Sequence, residues 1–339
     1  MTRRSVATCS TGRGRQDWIV PLFRYLTVVL ALAGPQLVAS VGVHAATVEP
    51  GAVAAQPAPP GPPSGGASPA AESRSLPEAA IQAAPPASIQ SPPAAPPLEL
   101  GYDVYWSVLR LVTIASRSRV GDGVYNLWSQ METVGFLGTL FPWTYRSEVR
   151  GRLAGNELAP ERFTSHSELR DKVQDVALRY GPDGPEVEEA TPFDRIALGV
   201  EYERDEVPPE MRPGTIDPLT EIASASLQIA QGKGCAGVRR VFDGLRRYDV
   251  VYEDLGETEL EGSSYDAYEG RARKCRSQVK PLAGFWKPKE EHGESLTAIT
   301  AWMMPPLPGA DPVPVRMEVE GARGTLTIHL VKAAPASGF

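Results

Sequence analysis

The sequence predicts an all-β, mostly antiparallel domain whose curled or barrel-like sheet carries one short helix. Three observations lead there. Apolar and polar residues alternate at period two in many short runs, as in strands with one face in the core and one in water. Turn-forming groups separate those runs: Gly121-Asp122-Gly123, Gly155-Asn156, Gly181-Pro182-Asp183-Gly184 and Gly321-Ala322-Arg323-Gly324. One stretch alone combines a helical pattern with start and stop signals. Many short strands with regular turns and few helices make a sheet that curls on itself.

Residues 1–45 read as a secretory signal peptide. Arg3, Arg4, Arg13, Arg15 and Arg24 make a positive start, Tyr25 to Ala33 an apolar core, and Val43-His44-Ala45 a cleavage site. The competing reading is an uncleaved inner-membrane anchor. Residues 25–43 are just long enough to span a bilayer, but Pro35, Gln36 and Ser40 weaken the stretch. Residues 46–97 are almost wholly Ala, Pro, Ser, Gly and Gln. Such a segment buries too little apolar surface to offset its chain entropy, so a disordered Pro/Ala-rich linker is expected, serving as a tether or a wall-crossing arm. The expected compartment is the periplasm.

The β domain is expected over residues 98–334. Its first strand is read from Leu98, Leu100, Tyr102, Val104, Trp106 and Val108, which alternate with Glu99, Gly101, Asp103, Tyr105 and Ser107. The same pattern recurs around Tyr145 to Leu153, Val176 to Tyr180, Val315 to Val319 and Leu326 to Leu330. Asp217-Pro218 supplies an N-cap and a first-turn proline for the helix. Leu219, Ile222, Ala223, Ile229 and Ala230 can share one face of it, and Gly232 and Gly234 stop it. This helix is expected to plug or cover one opening of the sheet. Asp243-Gly244 then marks a hairpin, and a turn near Glu261-Gly262-Ser263 returns a third strand that ends at Cys275.

Cys9 leaves with the signal peptide, so Cys235 and Cys275 remain as an even pair in an oxidising compartment and are read as a structural disulfide. Without a Cys-x-x-Cys pair, redox catalysis has no motif. Zinc would need two more ligands, and His166, His292 and His329 are scattered.

The chain carries 34 basic and 41 acidic residues, and the part after Pro97 is the more acidic, which argues against a nucleic-acid partner. Enzyme motifs are weak. Ser165 and His166 are neighbours in a strand and face opposite ways, so they cannot form a dyad. Gly232 to Gly237 lacks phosphate-loop spacing, and Glu290-Glu291-His292 reads as a solvated loop. A non-enzymatic role without a cofactor is expected, with a hydrolase of envelope material as the alternative.

Two features carry functional signal. Arg239, Arg240, Arg246, Arg247, Arg271, Arg273, Lys274 and Arg276 cluster around the disulfide unit and could meet anionic headgroups or wall polymers. Phe141, Trp143 and Trp302 stand in proline-broken apolar stretches that could rim a cavity for an acyl chain. The competing readings are outer-face charge on edge strands and ordinary core.

Asp217-Pro218-Leu219-Thr220, Val241 to Asp249, Tyr268 to Cys275, Pro281 to Gly284 and Pro314 to Val319 together resemble the DUF3108 family of exported bacterial proteins. The resemblance implies an exported β-rich domain, of the barrel-like kind found in envelope lipid or lipoprotein carriers, and transfers no catalytic residues. The expected partners are a lipid or cell-wall ligand, or an envelope protein. N-terminal sequencing of the exported chain should start near Ala46; an intact Met1 or Thr2 in the membrane fraction would establish the anchor instead.

Overall fold

The computed structural model describes residues 96–191, 202–265, 268–288, 298–321 and 324–336. The expected signal peptide, all but the last two residues of the expected linker, and Glu290-Glu291-His292 lie outside the described residues. Among the described residues, no helix is long and apolar enough to cross a membrane.

The first run of strands is β1 (Leu98–Trp106), β2 (Leu109–Gly121), β3 (Val124–Thr133), β4 (Trp143–Ala154), β5 (Glu157–Leu169), β6 (Lys172–Gly181) and β7 (Gly184–Ala190). A six-residue helix, α1 (Gly135–Leu140), joins β3 to β4. The short strand β8 (Tyr202–Arg204) and a 3-10 turn at Pro209–Met211 precede the main helix, α2 (Pro218–Ala230). The second run is β9 (Gly237–Phe242), β10 (Arg247–Leu260), β11 (Gly270–Ala283), β12 (Trp286–Pro288), β13 (Ile299–Met304), β14 (Val313–Gly321) and β15 (Gly324–Pro335).

Thirteen of these strands form one sheet in the order β7-β6-β5-β4-β3-β2-β1-β15-β14-β13-β11-β10-β9, while β12 pairs with β8 apart from it. Every pairing within the large sheet is antiparallel, as the alternation predicts. The two runs are neighbour-to-neighbour meanders joined by the first and last strands, from Leu98↔Pro335 to Trp106↔Leu326. The sheet is not closed by hydrogen bonds, since β7 and β9 stand at its ends. It is nonetheless curled. The β9–β10 turn reaches β6, where a β-carbon on Gly244 would overlap Val176 Cγ1. That close approach, with a φ of +93°, requires glycine. Register shifts at Gly101/Tyr102 and Arg150/Gly151 supply bulges that bend the strands.

Burial follows the alternation. In β4 each second residue from Trp143 to Gly151 is buried and its neighbours face outward. One apolar cluster gathers Val104, Val112, Trp143, Val315, Leu326 and Leu330. A second gathers Tyr125, Val149, Phe163, Val176, Leu178 and Phe242, with Leu219, Ala223 and Leu227 of α2 packed on it.

Helix α2 begins where Asp217 predicts. Its carboxylate accepts from Leu219 N (3.0 Å) and Thr220 N (2.9 Å), and Thr220 Oγ1 donates to it at 2.6 Å. Thr220 Oγ1 in turn lies 2.8 Å from the Tyr125 hydroxyl of β3. One residue earlier, Ile216 donates to Arg240 O and accepts from Phe242 N, both at 3.0 Å, along the outer edge of β9. The helix therefore lies on the inner face of the sheet, against β3, β4, β5 and β9.

Three expectations need correction. The first strand ends at Trp106, and Val108, expected within it, is exposed in the turn that follows. Phe136 to Leu140 forms α1 because Thr133 Oγ1 donates to Phe141 O (2.8 Å) and accepts from Trp143 N (3.0 Å), clipping the connection into a turn of helix. Strand β11 also runs eight residues past Cys275, so the cysteine sits in mid-strand, opposite Asp254 of β10 and Ala301 of β13.

Cys235 and Cys275 are both buried, with sulfurs 2.08 Å apart and Cα atoms 6.3 Å apart. The bond ties the segment between α2 and β9 to β11, across β10. Cys235→Ser and Cys275→Ser should each lower stability by roughly 2–5 kcal/mol in urea unfolding. The double variant should lose hardly more than either single one, because both changes remove the same bond; additive losses would show that no bond forms.

Candidate ligand cavity

The curl leaves a cavity of about 260 Å3 between α2 and the inner face of the sheet. Its walls come from alternate residues of both meanders, Leu100 and Met131 on one side and Val250, Ile299, Met303 and Ile328 on the other. Four residues of the predicted helix stripe, Leu219, Ile222, Ala223 and Ile229, line it; the fifth, Ala230, is exposed and does not. Ile222 remains 37% exposed. The apolar face of α2 is thus turned partly toward an open space rather than wholly into the core.

Most of the surface it presents is apolar, with serines, tyrosines and a few charged groups set among the apolar side chains. Glu221, in the first turn of α2, lines the cavity at 5% exposure, and its Oε1 has no hydrogen-bond partner among the described residues. Burial pushes its carboxyl from 4.5 up to about 7, with Asp217 adding to the rise, while the charge of Arg239 and the Tyr252 hydroxyl oppose it. Burial likewise lifts Asp217 to about 6 against its bonds to Thr220 and the backbone. Asp311, also in the wall, is raised by burial. Behind Tyr252, the Arg239 guanidinium lies 4.7 Å from the ring centre and donates to Gln228 Oε1 at 2.7 Å.

None of the eleven basic and aromatic residues singled out from the sequence lines this cavity, whereas Cys235 and Cys275 do. Two of the eight basic residues are withdrawn from any shared surface. Arg246 and Arg247 are 4% and 6% exposed. Asp243 draws Arg246 inward with an Nε–Oδ2 contact of 2.9 Å. Arg247 is held by Met211 O and by Asp249, the latter at 2.7 Å. Arg271 pairs with Glu257 and Arg273 with Asp254. Arg240 is exposed on β9, and Arg239 is half-buried. Trp143 is core, its Nε1 donating to Ser167 Oγ at 3.1 Å. Phe141 is half-buried with the Arg170 guanidinium 4.9 Å from its ring centre. Trp302 lies under Lys274 Nζ, 4.9 Å away, while its neighbours Ala301 and Met303 line the cavity. His166 Nδ1 lies 2.7 Å from Asp175 Oδ1, and Ser165 beside it in the strand is buried.

Residues 101–331 match the family described as "Protein of unknown function (DUF3108)". The chain belongs to the DUF3108 family. No curated protein matches it. Among solved structures, this DUF3108 chain is similar to a beta-barrel-like protein of domain of unknown function DUF1849 from Brucella abortus. The two share 11% identity over 72% of this chain and 99% of that one, with a TM-score of 0.43. At that score the likeness supports no transfer of fold detail or function.

Glu221 gives the DUF3108 domain a pH signature. Because its folded carboxyl titrates near 7 rather than 4.5, the native state holds the proton more tightly than the unfolded chain. Its contribution is fully present below about pH 4.5, falls as pH rises toward 7, and is level above that. The loss is worth roughly 3 kcal/mol. Asp217 adds a loss of the same sign at lower pH, between 3.8 and about 6. Urea unfolding across this range should show the decline, and Glu221→Gln should flatten its upper part and stabilise the domain at neutral pH. An unchanged profile would place the carboxyl in water.

Proposed function

We propose that this domain is a non-enzymatic periplasmic cell-envelope factor that holds an amphipathic ligand in the cavity beside α2. The apolar cavity carries the reading. Packed protein interiors tolerate few voids larger than a water molecule, whereas ligand sites are concave, mostly apolar and furnished with a few convergent polar groups. Leu219, Ile222, Ala223 and Ile229 present an apolar stripe to this space, whose wall also carries Glu221, Asp311, Arg117 and six serines. An alkyl chain against α2 would cover surface the fold leaves uncovered, at about 25 cal/mol per Å2 of apolar area.

Two sequence features support the compartment. The positive start, apolar core and small-residue site of residues 1–45 fit export, and a buried cystine suits an oxidising environment. The linker read over residues 46–97 would give the domain reach within the envelope.

Mass spectrometry of organic extracts from the exported chain should find a copurifying amphiphile near one per protein. Ile222→Trp, which narrows the cavity from a partly exposed position, should lower that yield severalfold with little change in thermal midpoint. A clean extract, together with no displacement of an environment-sensitive dye by any amphiphile, would overturn the reading.

A further inference from the structure

We propose that the cavity selects a single-chain amphiphile with a cationic, hydrogen-bond-donating end, of the alkylammonium class, seated on the unpartnered Oε1 of Glu221. This rests on the cavity reading above and adds the number of chains and the sign of the polar end.

The chain count follows from volume. About 260 Å3 lies just below the usual range of ligand sites, which starts near 300 Å3. One alkyl chain fills such a space, and the second chain of a diacyl lipid would be left outside it.

The sign follows from what reaches the wall. Glu221 Oε1 is a buried acceptor without a partner among the described residues, an arrangement that costs on the order of 1–3 kcal/mol until a donor arrives. Asp311 puts a second carboxyl in the wall. Tyr102, Tyr145, Tyr248 and Tyr252 also line the cavity, and tyrosine rings attract a cation at their faces. Burial raises all four hydroxyls, so they stay neutral. Arg117 is the single Lys or Arg among the described lining residues. It is exposed, 3.5 Å from Glu99, with its guanidinium 5.3 Å from the Trp128 ring centre. Arg239 is the counter-charge that acts on Glu221; its Nη2 is held by Gln228, its Nη1 is buried without a partner among the described residues, and it does not line the cavity. An anionic end would therefore enter beside two carboxyls and meet no buried cation in the wall.

The test compares dodecylamine, dodecan-1-ol and dodecanoate on the full exported chain by dye displacement. At about pH 8 a carboxyl raised to about 7 is mostly ionised and an alkylamine is still protonated. The amine should bind tightest and the carboxylate weakest, with about tenfold or more between them. Glu221→Gln should bring the amine to within about twofold of the alcohol, whose own affinity should hardly move; Asp311→Asn should weaken the amine by a smaller factor. Thermal melting checks that both variants fold. Dodecanoate binding as tightly as the amine, or an unchanged amine affinity in Glu221→Gln, overturns the assignment while the cavity reading stands. If none of the three binds, the assignment falls, and a clean extract with no displacement by any other amphiphile takes the cavity reading with it.

Discussion

The buried carboxylate of Asp217 is the interaction on which the rest of the domain depends. It caps α2 through two backbone amides and holds the Thr220 hydroxyl, which meets Tyr125 of β3. The residue before it, Ile216, is bonded to β9 at the far margin of the sheet. One short segment thus grips both meanders. An open thirteen-stranded sheet has no hydrogen-bonded seam between β7 and β9, so its curl must be held by side chains and by inserted chain. Asp217, Thr220 and Ile216 supply that hold, and Gly244 against Val176 shows how close the margins come.

The cavity is a consequence of this arrangement. A helix anchored at its first turn against β3 and β9 packs one flank on β3 to β5, and its other flank meets β10, β11 and β13 through Glu221 with Tyr252 and Ile229 with Cys275 and Met303. Hydrophobic sequence on that flank is then neither core nor ordinary surface. Glu221 shares the fate of its neighbours: fixed one residue past Thr220, it is carried into the low-dielectric side with its carboxyl pushed upward.

The strands were legible because period two is a local signal and the core imposes it on nearly every strand. The helix start was legible because Asp-Pro has a local meaning at an N-cap. Cys235 and Cys275 paired by count and compartment. What the sequence concealed is long-range. An arginine in a turn reads as solvated, and only the folded chain puts Asp243, Asp249 and Met211 O around Arg246 and Arg247. A glutamate in a first helical turn reads as a partner of the helix dipole, so Glu221 gave no sign of burial. Trp302 drew attention by its size, yet period two sends it outward and its small neighbour Ala301 inward.

The joining of β1 to β15 bears on how the chain acquires its shape. The hairpins of each meander form between neighbours, but the pairing that unites them links Leu98 to Pro335. Closing a loop of roughly two hundred residues carries an entropic penalty that grows only slowly with length, yet it cannot be met before the last strand exists. All-β topologies rich in such non-local pairs fold in milliseconds to seconds rather than microseconds. A chain that emerges N-terminus first therefore keeps the edge of β1 unpaired until Gly324–Pro335 has emerged. The interior is completed by β15, the last of its strands to be made.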